Sequence, residues 1–342
     1  MPEVPASTWM AREIAEIPQT AEHLLTGKQS LIESLAQRIE AAEPRVIVMC
    51  GRGSSGHVGV YLRYLFETKL GLLVSAAAPS VVTAYKGRPD MRDVLFVVIS
   101  QSGRSPDLIA ATQAARALGA LTLAIVNDPN SPAASASELV LPVGAGPERA
   151  VAATKSVVAS MIAGAQLVAA LARDVALSAG LRKMPERLAR ARNCDWSAWG
   201  NAIPNAPAAF IAARGYGFGC VREIALKLTE TLRVPALGFS AAELRHGPRA
   251  AITRATPVLL LRQNDETAET LDGLLHDLCD AGERVFAAGG GSGTLPWIGD
   301  DHPICDPVVM LVPAYRAIEA AARRAGLDPD NPPHLSKVTR TL

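Results

Sequence analysis

Short apolar runs, bounded by glycine, serine or proline, alternate along this chain with longer stretches whose apolar residues recur every three or four positions. The helical period comes first: Met10 to Ile17 and Leu24 to Ile39 predict helices within residues 1–44, with Trp9 and Met10 covering a neighbouring surface. Arg45–Cys50 then reads as a strand, followed by a glycine–serine loop and a helix through Val60 to Lys69. Leu72–Ala76 and Val94–Ile99 are further strands, the second β-branched enough to be buried on both faces of a parallel sheet. Ser105, Pro106 and Asp107 are a helix start (N-cap, first-turn proline, dipole-complementing acid), and Gly119 ends the helix that runs to Leu118. Leu121–Val126, Leu139–Val143 and a long helix through Leu171 complete a strand–helix alternation. That order predicts a doubly wound parallel sheet, whose ligands bind outside the strand carboxyl ends.

The second half repeats the first. After a stretch at 173–205 that reads as a helical linker carrying Trp196 and Trp199, Ala208–Ala213 is a strand, and Arg214-Gly215 echoes Arg52-Gly53. Phe239-Ser240-Ala241-Ala242 echoes Val74-Ser75-Ala76-Ala77, Val258–Gln263 stands where Val94–Gln101 stood, and Val285–Ala288 takes the place of the strand before Asn127. This is an internal duplication. It predicts two tandem doubly wound α/β subdomains with flanking helices: helices over 1–44, a first subdomain over 45–185, a second over 200–325 and a tail over 326–342.

Composition narrows the class. Of 342 residues 49% are apolar and only 4% aromatic, so alanine, valine and leucine build the core. The net charge of +1 with no basic run gives nucleic acid or an acidic membrane surface no purchase. Five scattered cysteines without a C-x-x-C pair read as reduced thiols of a cytoplasmic protein. The six histidines lack ligand spacing, so neither a structural zinc nor another cofactor is expected. The amino terminus does not read as a signal peptide, and the alanine-rich Val157–Leu171 is too short to span a bilayer.

Chemistry concentrates in a few places. Ser100-Gln101-Ser102-Gly103-Arg104-Ser105 joins a buried strand to a helix N-terminus, where hydroxyls and amides converge as a cradle for phosphate. Gly51-Arg52-Gly53-Ser54-Ser55-Gly56 satisfies G-x-G-x-x-G, but the next strand ends in Ala77-Ala78-Pro79 without the acid that would hold a ribose, so the dinucleotide reading fails. The loop remains as a second phosphate contact. The second copy has lost its serines, which leaves one phosphate site per chain. On the helix Cys220–Arg233, Val221, Ile224, Ala225, Leu228 and Leu232 form the apolar stripe, with Glu223, Lys227 and Glu230 opposite. By spacing alone those three are a solvated face of Glu–Lys pairs. The polar loop Ala242–Pro248 that follows, with His246 in it, raises their weight: a histidine can protonate a ring oxygen, and a carboxylate beside a lysine can move a proton between carbons.

With these motifs in order, the chain resembles the sugar isomerase (SIS) family, in its double-domain branch. That branch includes the isomerase half of glutamine–fructose-6-phosphate aminotransferase and stand-alone glucosamine-6-phosphate deaminases. The carriers are Ile99–Gly103, Ala150–Lys155, Glu223–Glu230, Glu243–Pro248 and the tail Leu335-Ser336-Lys337-Val338-Thr339. The resemblance implies flavodoxin-like subdomains and a sugar phosphate held by Ser54 or Ser55, Ser100, Gln101, Ser102 and Ser105, with Glu148 and Val151 beside the substrate. It implies that Glu230 moves the C1/C2 proton, that Glu223 and Lys227 orient the open chain and tune that carboxylate, and that His246 assists ring opening, often from a neighbouring subunit of a homodimer. Lys337 would form an imine with the ketose carbonyl. Arg52 makes the first loop longer than the aminotransferase's, and the end after Lys337 differs. The sequence shows no glutaminase region and no cysteine after Met1. The expectation is therefore a metal-free deaminase that turns glucosamine-6-phosphate into fructose-6-phosphate and ammonia. The alternatives are another amino-sugar phosphate such as galactosamine-6-phosphate, a sugar-phosphate adduct, or a non-catalytic sugar-phosphate sensor. A sensor has no use for an imine-forming lysine.

Overall fold

The apolar runs become parallel strands grouped in two sheets. The computed structural model describes residues 7–337. In chain order its elements are α1 (Trp9–Thr26), α2 (Gln29–Ala42), β1 (Val46–Cys50), α3 (Gly53–Leu70), β2 (Leu73–Ala76), α4 (Pro79–Thr83), β3 (Val94–Ser100), α5 (Pro106–Ala117), β4 (Leu121–Val126), α6 (Pro132–Ala136), β5 (Leu139–Pro142) and α7 (Lys155–Leu171). There follow α8 (Val175–Arg182), α9 (Met184–Ala191), α10 (Ser197–Gly200), β6 (Ala209–Ala213), α11 (Phe218–Leu232), β7 (Ala236–Ser240), α12 (Ala241–Arg245), β8 (Val258–Leu261), α13 (Ala268–Asp280), β9 (Val285–Ala288) and α14 (Asp306–Arg324). Two units emerge: a five-strand unit of Gln19–Glu148 and Lys155–Arg182 with Ser336 and Lys337, and a four-strand unit of residues 7–18 with Arg149–Thr154 and Lys183–Leu335.

The five-strand sheet has the order β2-β1-β3-β4-β5, all parallel. Its central strand β3 is buried from Leu95 to Ser100, as a β-branched run covered on both faces requires. The edge strand β2 leaves Leu73 71% exposed. One face carries α7, whose Gly164 lets it approach α3 closely: an added Cβ there would fall 2.4 Å from Leu62.

The four-strand sheet runs β7-β6-β8-β9, the same order without its last strand. A single parallel bridge between Ala288 and Leu295 stands where a fifth strand would pair. The duplication is therefore real at the level of topology. At Gly238 of β7 an added Cβ would meet the backbone of Arg222 and Val221 at 2.7 Å, so only glycine lets β7 approach α11 this closely.

Three local expectations change. Gly53, Ser54 and Ser55 are not loop but the first turn of α3. The polar stretch from Ala242 is mostly helical: α12 ends at Arg245, and His246 caps it. From Lys183 onward the stretch read as a linker packs into the four-strand unit's core, where Trp196 and Trp199 are both 1% exposed and meet edge to face at 6.1 Å. Met10 is buried, whereas Trp9 lies between the guanidinium groups of Arg12 and Arg149, 4.8 and 4.2 Å from the ring centre. Among the described residues no helix is long and apolar enough to cross a membrane.

Candidate functional site

In the five-strand unit the strand order reverses between β1 and β3, which leaves a crevice at their carboxyl ends. Both candidate loops open there. Ser54 and Ser55 sit half-buried in the first turn of α3, at the positive end of its dipole. The loop after β3 is shaped by its own side chains: Ser100 Oγ accepts from the Gly103 amide at 3.0 Å, and Ser102 Oγ from the Arg104 amide at 3.3 Å. Gly103 has φ +64°, and an added Cβ would lie 2.1 Å from Ser131 Oγ, so a side chain fits neither the backbone nor the space. Ser105 stands at the N-cap of α5 as expected, yet its hydroxyl makes no capping bond. That hydroxyl and the half-buried Gln101 remain available to a ligand. Arg52 pairs at 3.0 Å with Asp107 in the first turn of α5, so it ties the two helix N-termini together. In the other unit, Arg214 reaches Thr270 of α13 in the same way, at 2.9 Å, which marks this strut as part of the duplicated plan.

A second cluster in the five-strand unit surrounds Glu148. Its carboxylate accepts from the Ser156 amide at 3.1 Å and the Ser156 hydroxyl at 2.6 Å, at the start of α7. Lys337 Nζ lies 3.3 Å from the same carboxylate. The glutamate side chain is fully buried and the lysine 26% exposed, so the amine is the accessible member. Val338 and Thr339 of the tail motif fall outside the described residues.

The four-strand unit holds the third cluster, on α11. The solvated-face reading of its polar residues does not hold. Glu223 and Lys227 are 0% exposed, because α14 covers that side of the helix. Lys227 Nζ lies 3.5 Å from Glu223 and 2.5 Å from Glu230, and the Tyr315 hydroxyl of α14 donates to Glu223 at 3.3 Å. One buried ammonium therefore bridges two carboxylates. The Glu230 side chain is 20% exposed and is the member that reaches the surface. Removing either carboxylate would leave this buried ammonium less well matched.

His246 is not drawn into that cluster: it is exposed at the end of α12, and its side chain has no hydrogen bond or ion pair among the described residues. Val151, half-buried, gives its amide to the Asp330 carbonyl at 2.9 Å. The crevice between β6 and β8 is occupied by the protein itself. Gln263 is 1% exposed there and donates to the Arg214 carbonyl at 2.6 Å and to Asp265 at 3.0 Å. The lost serine cradle of the second copy is thus filled by a glutamine. Sequence reasoning missed the supporting residues Ser131, Ser156 and Tyr315. Their spacing marks nothing, since each acts through a neighbour brought to it by the fold.

Comparison with known proteins agrees with these features. The SIS domain family matches residues 41–170 and 203–284. The glutamine–fructose-6-phosphate aminotransferase of Methanothermobacter thermautotrophicus is 31% identical over 96% of this chain. The chain spans 57% of that protein, and 58% of the corresponding enzyme of Symbiobacterium thermophilum. Among solved structures, a candidate phosphosugar isomerase of Silicibacter pomeroyi superposes with a TM-score of 0.90 at 37% identity, covering 95% of this chain and 100% of that one. The glucosamine-6-phosphate deaminase of Thermotoga maritima shares the fold, with a TM-score of 0.78 at 22% identity over 98% of this chain and 100% of that one.

Proposed function

The chain belongs to the SIS family, and on that premise we propose that it is a phosphosugar aldose–ketose isomerase that deaminates an amino-sugar phosphate, with glucosamine-6-phosphate as the first candidate. The observation that carries this reading is the α11 cluster, in which a buried lysine presents one accessible carboxylate, Glu230. A proton shuttle between adjacent carbons needs a carboxylate fixed in place, and the contact with the Lys227 ammonium supplies that.

In this reading the phosphate of the sugar is held by Ser54 or Ser55, Ser100, Gln101, Ser102 and Ser105 with the N-terminal amides of α3 and α5. His246 protonates the ring oxygen as the ring opens. Glu230 takes the proton from C2 of the open-chain aldehyde as O1 gains a proton, and returns it to C1 as the C2 amine gives one up, so that C1 becomes an alcohol and the C2 amine an imine. Lys337, its proton accepted by Glu148, displaces the C2 nitrogen and leaves as water hydrolyses the resulting imine. The products are fructose-6-phosphate and ammonia. Val151 lines the substrate, and Glu223 with Tyr315 keeps Lys227 in register. Placing His246 in a neighbouring subunit of a homodimer fits the lack, among the described residues, of any hydrogen bond or ion pair between its side chain and the α11 cluster.

The test is ammonia release from glucosamine-6-phosphate and, in parallel, galactosamine-6-phosphate, by wild type and Glu230→Gln. Release from the gluco epimer that falls by about three orders of magnitude in the variant is the expected outcome for loss of a general base acting at carbon. Release only from the galacto epimer moves the substrate and keeps the mechanism. A protein that releases nothing from either, yet melts higher with a sugar phosphate, is a sensor, and the deaminase reading falls.

A further inference from the structure

The four-strand unit carries a groove that the proposed chemistry does not use. It lies between the segment after α9 and one face of α14. One end is a cavity of about 360 Å³ with Arg192, Arg316 and Arg324 on its wall. The adjoining cavity, about 350 Å³, shares Arg192, Asn193, Arg316 and Ala320 with it, so the two are one groove. None of the lining residues follows the carboxyl end of a strand, which separates this groove from the candidate site residues.

The charges are unbalanced. Among the described residues, Arg192, Arg316 and Arg324 form no ion pair, whereas Arg52, Arg104, Arg187 and Arg262 are each matched to an acid. The acids at the groove are already engaged. Glu319 accepts from Thr8 at 2.8 Å and pairs with Arg323 at 2.8 Å, and Asp195 accepts the Ser197 amide at 2.8 Å. Four guanidinium groups, those of Arg192, Arg316, Arg323 and Arg324, line the groove against two carboxylates, Asp195 and Glu319, and the excess of positive charge favours an anion there. Small residues of α14, Ala317 and Ala320, form the floor and leave room for a ligand. The volume suits a small metabolite rather than a single ion.

We propose that this groove is a second anion site, which binds a phosphate-bearing small molecule with at least two negative charges. Planar guanidinium groups take phosphate oxygens two at a time, and Asn193 adds a neutral donor.

The experiment is calorimetric titration with inorganic pyrophosphate at low salt, on wild type, Arg192→Ala/Arg316→Ala, Arg324→Ala and Ser102→Ala. The arginines are exposed, and the thermal midpoint of each variant is read alongside to verify folding. Binding by wild type that weakens at least tenfold in the double variant and severalfold in Arg324→Ala, while persisting in Ser102→Ala, is expected. It should also weaken as salt rises, because the contact is ionic. Absence of binding by wild type, or an affinity that the arginine variants leave unchanged, overturns the proposal. So does binding abolished by Ser102→Ala, which would place the pyrophosphate in the serine loop. The single Arg324→Ala variant keeps the test decisive if the double variant unfolds.

Discussion

At the scale of single residues, the structure turns on positions where one side chain has no substitute. Gly103 is one. Its φ of +64° and the 2.1 Å gap to Ser131 Oγ leave no space for a methyl group. Gly103→Ala is expected to cost about 2 kcal/mol of stability, from left-handed strain and the displaced serine. It should also raise KM for the sugar phosphate more than it lowers kcat, since the loop it shapes is proposed to hold phosphate and not to move protons. Chemical denaturation with parallel kinetics checks both. Lys227 is the other. Lys227→Met strands two carboxylates, one of them 0% exposed, and should destabilise the protein by roughly 3 kcal/mol. Adding Glu223→Gln removes the buried unpaired charge, so the double variant should recover much of that stability while activity stays low. Recovery of activity as well would remove Lys227 from the mechanism.

At the scale of elements, helical and strand periods were legible because they are local. The run from Val94 to Ile99 is apolar at every position, and β3 is buried on both faces. The α11 stripe was equally readable. What covers the opposite face was not. Glu223 and Lys227 at helical spacing look like a solvated pair, and only the packing of α14, whose Tyr315 lies 92 residues from Glu223, buries them. Glu148 and Lys337 are 189 residues apart, and no local pattern announces their contact. Turn residues were readable by type but less so by boundary. The serines after β1 are already helical, since an N-terminal turn tolerates the same glycines and serines as a loop.

At the scale of the whole molecule, the buried thiols give a pH prediction. Burial pushes the Cys50 thiol up to about 12, with Asp107 adding to the effect and Arg52 opposing it. It pushes Cys305 to about 12 as well, and Cys194 and Cys220 upward. Cys279 is exposed. A thiol-specific reagent at pH 8 should therefore label Cys279 quickly and the other four only after unfolding. The sign for stability follows from linkage. A thiol that stays neutral when folded but ionises near its ordinary 9.0 when unfolded contributes fully below that value and loses its contribution as pH rises toward 12. The denaturation midpoint should fall progressively above pH 9. A flat profile between pH 8 and 11, or rapid labelling of several thiols, would contradict this burial.

The sequence alone determined that the chain is a duplicated, doubly wound α/β protein with a serine-lined helix N-terminus after its third strand, because strand order, period and turn chemistry are written in neighbouring residues. It also placed Glu223, Lys227 and Glu230 on one side of one helix. The tertiary structure alone decided that two of these are buried and one is accessible, that Glu148 holds Lys337, that Gln263 fills the second crevice, and that four arginines share one groove. Each of those facts is a contact between segments far apart in the chain. Their energies depend on burial and charge neighbourhood, which no local pattern encodes.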